Sequence, residues 1–161
     1  MTRAALLGIL LVTFSAFSQV GDKWNKASYV TVEPTPTITL TKVKTAKATV
    51  RFRVNQGFHV NSNKPTSDLL IPTEIKFDPQ SAVVIGKIAY PAGEELSLSF
   101  SPQQKLSVYQ GDVIVTVPLL LAKTVKRGTY TLRGSLSYQA CNDNACFPPK
   151  TAPFELTVLV N

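Results

Sequence analysis

The chain has 161 residues, 44% hydrophobic and 17% charged, with 17 lysines and arginines against 10 acids for a formal charge of +7. That is enough chain for one domain with its own core, and too little for two of ordinary size. The basic residues are scattered, with no like-charge block and no interleaved aromatic motif; this argues against a nucleic-acid-binding module and for a mildly basic surface suited to acidic partners or an anionic membrane face.

Arg3 is followed by an apolar run from Ala4 to Val12 that continues through Phe14 and Phe17 and reaches small residues at Ala16 and Ser18. This reads as a secretory signal peptide over residues 1–18, because the run is shorter than the roughly 20 residues of a membrane span. No cysteine follows the expected cleavage point, which argues against a lipid anchor. Residues 19–28 read as a flexible leader in which Trp24 is expected to cap the core edge, and residues 29–161 as the domain.

From Tyr29 onward the pattern has the period of strands. A first strand is expected at Tyr29–Val32, after which Glu33, Pro34, Thr35 and Pro36 impose an extended segment. Ile38 and Leu40 alternate with threonines, and Val50, Phe52 and Val54 alternate with Thr49, Arg51 and Arg53, which marks strands with one wet face. Gly57–Asp68 reads as a polar interruption and holds the only histidine, His59. Strands are expected again at Ile71–Phe77 and Val83–Tyr90. Leu96, Leu98 and Phe100 alternate with serines, and a turn at Ser101–Gln104 is expected before Leu106–Tyr109. Val113–Leu121 is apolar on both faces and reads as a central strand, with a bulge or an unpaired position at Pro118.

In the next stretch Tyr130, Leu132, Leu136, Tyr138 and Ala140 share one face, so the same register puts Cys141 on the polar face. Phe154, Leu156, Val158 and Val160 point inward along the last strand. Eight or nine short strands without an amphipathic helix give an all-β chain, an immunoglobulin-like antiparallel β-sandwich.

Cys141 and Cys146 are the only cysteines. In an extended chain their Cα atoms would lie about 17 Å apart, whereas a disulfide needs roughly 4.4 to 6.8 Å, so any bond requires a turn. Asn142, Asp143 and Asn144 suit one, since their short side chains bond nearby backbone and tolerate left-handed conformations. Closing so short a loop stabilises a fold by about 2 kcal/mol. A structural staple and a redox pair both remain open on these residues alone.

Pro148, Pro149 and Pro153 deny the pair a helix N-terminus, and only Lys150 and His59 offer cationic help. Neither sulfur is therefore expected to be strongly activated, and the pair reads as a dithiol carrier whose partners supply the reactive thiolate. Two cysteines and one histidine fall short of a four-ligand zinc site, and no phosphate loop, serine-nucleophile motif or dinucleotide fingerprint occurs. Glu94 and Glu95 are neighbours and would point to opposite strand faces, so they do not form an acid–base pair.

Tyr138–Pro149, YQACNDNACFPP, resembles the active-site hairpin of the N-terminal periplasmic domain of DsbD-type thiol:disulfide interchange proteins. The resemblance extends through GFHVNSNKP at 57–65, LLIPTEIKF at 69–77, the Tyr90–Pro91 step and LSVYQGD at 106–112. It implies a redox-active disulfide between Cys141 and Cys146, no cofactor, and no metal. It further implies electron relay from a membrane-embedded reductase to periplasmic thioredoxin-like proteins, with Cys141 forming the mixed disulfide and Cys146 resolving it.

Phe100 matches the aromatic residue of the family's cap loop, although it also fits the inward face of its own strand. His59 and Asn61 stand where better-known members carry aromatic residues beside the pair, and Tyr138 and Phe147 flank it. The chain stops at Asn161 without the membrane and thioredoxin-like domains of full-length members, so another chain is expected to supply electrons to this domain, a monomer in the periplasm of a Gram-negative bacterium. The alternative is a non-enzymatic immunoglobulin-like binding module in which the disulfide is a staple.

Overall fold

Period-two alternation in the long apolar stretches produces two sheets that bury one face each against the other. The computed structural model describes residues 28–40, 45–80, 82–98 and 101–161, and every regular element among them is a strand. The signal peptide, Trp24 and Phe100 lie outside the described residues.

The first sheet places β1 (Val30–Val32), β3 (Thr45–Val54), β9 (Asp112–Leu121) and β6 (Val83–Ile85) side by side in that order. The second runs β2 (Ile38–Leu40), β12 (Lys150–Val160), β10 (Gly128–Tyr138) and β5 (Glu74–Phe77). All pairings in both are antiparallel except β2 with β12, which run parallel with Val158 opposite Ile38.

Val50, Phe52, Val115, Val117 and Leu119 of the first sheet share one core with Leu132, Leu136, Leu156 and Val158 of the second. Each such side chain contributes about 1.5–3 kcal/mol by leaving water, so this inner layer dominates the fold's stability. The result is an immunoglobulin-like antiparallel β-sandwich.

Pro118 stays in register opposite Lys47 of β3. Its other side faces the chain just beyond β6, where the Gly86 N–H reaches the Pro118 carbonyl at 2.8 Å. The proline thus takes the unpaired position and not the bulge, because its missing N–H falls where β6 has already ended.

A third sheet, β11 (Ala140–Cys141), β4 (His59–Asn61), β8 (Ser101–Tyr109) and β7 (Glu94–Leu98), extends the sandwich at one end. It corrects three expectations. Gly57–Asp68 is not a wholly polar interruption, since it contains the buried strand β4. The strand expected from Ile71 begins only at Glu74, because Pro72 has no ladder donor and the Ile71 carbonyl is taken by the Asn61 side chain. The turn expected at Ser101–Gln104 is strand, with Leu98 paired to Ser101. Pro102 is tolerated there because β8 pairs with β4 only at Val108 and Tyr109, which leaves its first half bonded on one side.

One face of the third sheet, through Val60 and Ala140, joins the main core. Its other face carries Leu106 and Val108 under Leu70 and Leu96.

Candidate active site

Gly57 takes a φ of 81°, a backbone shape that other residues rarely adopt, in the turn closed by the Phe58 N–H to the Asn55 carbonyl at 3.1 Å. The turn delivers the chain through Phe58 into β4, which begins at His59. From the other direction β10 ends at Tyr138, and after Gln139 the chain leaves the second sheet and pairs with β4, Ala140 opposite Val60 and Cys141 opposite His59.

The hairpin that follows is held by Asn142. Its Oδ1 accepts the N–H groups of Asn144 and Ala145 at 2.9 Å each, and its own N–H donates to the Ala145 carbonyl at 2.9 Å. Phe147 N–H closes the base on the Ala140 carbonyl at 2.8 Å. Cys146 is thereby folded back across Cys141, with the Cα atoms 3.9 Å apart and the two sulfurs bonded.

The two halves of the disulfide differ in access. Cys141 has no exposed surface, whereas Cys146 is exposed. Cys141 takes the face opposite Ala140, as the alternation of β10 requires, but it is fully buried there, so that face is not the wet one expected. Beyond Gln139 the chain belongs to the third sheet, paired with β4 on one side and bridged to Cys146 on the other.

A chain of side-chain amides grips the hairpin. Asn61, fully buried, donates from Nδ2 to the Ile71 carbonyl at 3.0 Å and to Gln139 Oε1 at 3.4 Å. Gln139 in turn donates from Nε2 to the Phe147 carbonyl at 3.2 Å. On the core side Tyr29 and Phe147 stack with ring centroids 4.8 Å apart, and Phe58 lies 4.8 Å from Tyr29 and 5.8 Å from Phe147. The Lys150 ammonium sits 5.1 Å from the Tyr29 centroid, a cation–π contact.

His59 is 3% exposed, and its Nε2 is buried without a hydrogen-bond partner. Burial pushes the imidazole below its usual range, a shift partly opposed by the Asp143 carboxylate in the hairpin turn. It is therefore the neutral ring at pH 7, not the cationic help that the sequence allowed. Tyr138 is buried at the end of β10, and that burial pushes its phenol up despite hydrogen bonds with the Ser28–Val30 segment.

Of the residues singled out in the sequence, Cys141, Cys146, His59, Asn61 and Phe147 come together here, and Tyr138 lies just before the hairpin. Sequence reasoning missed Tyr29, Phe58 and Gln139. The signal for Phe58 was a single aromatic inside a polar stretch, while Gln139 was indistinguishable from its solvated neighbours on β10. Among the described residues no three His, Cys, Asp or Glu side chains gather as a metal site, and no helix is long and apolar enough to cross a membrane.

A family profile described as "Thiol:disulfide interchange protein DsbD, N-terminal" matches residues 26–158. Among solved structures, the chain is similar to the DsbD N-terminal domain of Neisseria meningitidis in its reduced form, with 26% identity over 68% of this chain and 75% of that one, and a TM-score of 0.46. It is also similar to the N-terminal periplasmic domain of ScsB from Proteus mirabilis, with 13% identity over 80% of this chain and 43% of that one, and a TM-score of 0.49. No curated protein matches it. With the family profile running from before β1 into β12 and across both cysteines, the chain belongs to the DsbD N-terminal family of thiol–disulfide exchange domains.

Proposed function

We propose that this is an exported relay domain that carries reducing equivalents from a membrane-embedded thiol reductant on another chain to periplasmic thioredoxin-like proteins. The observation that carries the reading is the asymmetry of the disulfide, with one cysteine exposed on the return arm of the hairpin and the other fully buried. A staple works equally well with both halves buried. Exchange requires an exposed half, because the incoming thiolate must approach a sulfur directly.

The reductant's thiolate attacks Cys146 Sγ, and the Cys141–Cys146 bond breaks with its electron pair leaving on Cys141. The reductant's second thiolate then attacks its own bridged sulfur, which releases reduced Cys146 and an oxidised donor. Toward an acceptor the steps reverse: Cys146 thiolate attacks the acceptor disulfide, and Cys141 resolves the resulting mixed disulfide. This order is the opposite of the one implied by the resemblance, in which Cys141 met the partner. The prolines after Cys146 leave it without a helix dipole, in keeping with a passive carrier driven by its partners' thiolates.

The test is trapping. A Cys141→Ala variant should accumulate mixed disulfides through Cys146 with thioredoxin-like proteins, and a Cys146→Ala variant should not. Adducts that form only through Cys141 overturn the assignment.

A further inference from the structure

His59 and Cys141 are direct partners across the antiparallel β4–β11 pair. Directly opposed residues project to the same face with Cβ atoms about 4.5–5.5 Å apart, which puts the imidazole and the Cys141 sulfur within reach of each other. Their neighbours Val60 and Ala140 point the other way, into the main core. Both His59 and Cys141 are withdrawn from water, and His59 Nε2 has no partner in the oxidised protein. A buried nitrogen left without a hydrogen bond is costly and calls for a reason. As an acceptor Nε2 gains nothing from a disulfide, because neither sulfur carries a proton. Opening the bond creates a thiol at the buried position next to it.

We propose that His59 Nε2 is the proton acceptor for the Cys141 thiol, idle in the disulfide form and engaged in the dithiol form. The assignment rests on the exchange function proposed above. In the reduced domain Cys141 Sγ–H donates to Nε2, with the ring proton on Nδ1. After Cys146 has formed a mixed disulfide with an acceptor, Cys141 passes its proton to His59 as its sulfur attacks Cys146 Sγ. The Cys146–acceptor bond breaks, and its electron pair leaves on the acceptor's sulfur. The domain's dithiol is oxidised by two electrons, the acceptor disulfide is reduced, and the imidazolium returns its proton to the departing thiolate or to solvent.

Glu94, opposite Val108, and Lys64, just past β4, are exposed to solvent, and the other charged and titratable groups around β4 are committed elsewhere. Tyr109 lies opposite Val60, and its hydroxyl bonds Asn63 and Pro91. Glu95 and Lys105 pair with each other across β7 and β8. Lys150 is over Tyr29, and Tyr138 is held by the Ser28–Val30 segment. Asp143 is the charge that acts on His59, and it favours the imidazolium at the moment of transfer.

The test needs no protein partner, so it fails or succeeds independently of the relay. Reduced domain is mixed with Ellman's reagent. The first thionitrobenzoate released reports adduct formation at Cys146, and the second reports closure by Cys141. His59→Gln should leave the first phase unchanged and slow the second roughly 100-fold at pH 7, moving its pH profile upward to that of an unassisted thiol. His59→Phe should behave alike. In parallel, the ring resonance of His59 should titrate at different pH values in the oxidised and the dithiothreitol-reduced protein. An unchanged second phase in folded His59→Gln, a slowing without displacement of the pH profile, or identical histidine titrations in the two redox states each overturns the proposal.

Discussion

Gln139 donates its side-chain N–H to the Phe147 carbonyl at 3.2 Å, which ties the residue before the cysteine hairpin to the residue after it. Asn61 secures the other end of the Gln139 amide and anchors it to the Ile71 carbonyl. Asn61→Ala therefore removes, at a part-buried place, the donor shared by the Ile71 carbonyl and Gln139 Oε1. It should destabilise the oxidised domain by about 1–3 kcal/mol in urea unfolding. Amide exchange at Asn144, Ala145 and Phe147 should rise with it. Unchanged exchange at those amides would mean that the grip does not reach the hairpin.

Asn142→Ala removes the acceptor for two backbone N–H groups of the turn. The sulfurs are then less well held together in the reduced protein, so closing the disulfide becomes less favourable. In glutathione buffers the equilibrium should move toward the dithiol by roughly 3- to 10-fold, as expected for loss of about 1 kcal/mol of turn stability. A shift in the opposite sense would count against the turn as the organiser.

The aromatic group gives a paired prediction. Tyr29 is buried, and its hydroxyl has no hydrogen-bond partner. Tyr29→Phe should therefore be neutral or slightly stabilising, whereas Tyr29→Ala should cost about 3–5 kcal/mol by emptying the space against Phe58 and Phe147. Thermal unfolding of the two variants separates packing from polarity.

His59 also predicts a pH dependence of stability. Its folded pKa lies below the usual 6.5 because burial disfavours the imidazolium. The unfolded chain binds that proton first, so stability is full above about pH 6.5 and falls as the pH drops from there toward the folded value, by at most about 1.4 kcal/mol per pH unit. His59→Gln should flatten this part of the profile. Urea midpoints between pH 7.5 and about pH 5.5, above most carboxylate titration, make the comparison.

Much of the sandwich was legible because β3, β9, β10 and β12 are long enough for alternation to declare itself. Val50, Phe52, Leu132, Leu136, Leu156 and Val158 fall inward as their spacing requires. The third sheet was illegible for the same reason in reverse: β4 has three residues and β11 two, too few for any period. The cysteines, His59 and Asn61 stood out by residue type. What residue type could not tell was that Gln139 is where the chain changes sheets, and hence that Cys141 is sheltered and Cys146 is not.

The parallel pairing of β2 with β12 fastens strands from opposite ends of the domain. That seam cannot form until nearly all of the chain is present, and such non-local pairing is slow. The disulfide has no such constraint, since its cysteines are separated by only 5 positions and have no rival among themselves. The pair can be oxidised or reduced before the sandwich closes, with no wrong bridge to undo. What the finished fold adds is the choice of which sulfur a visitor meets.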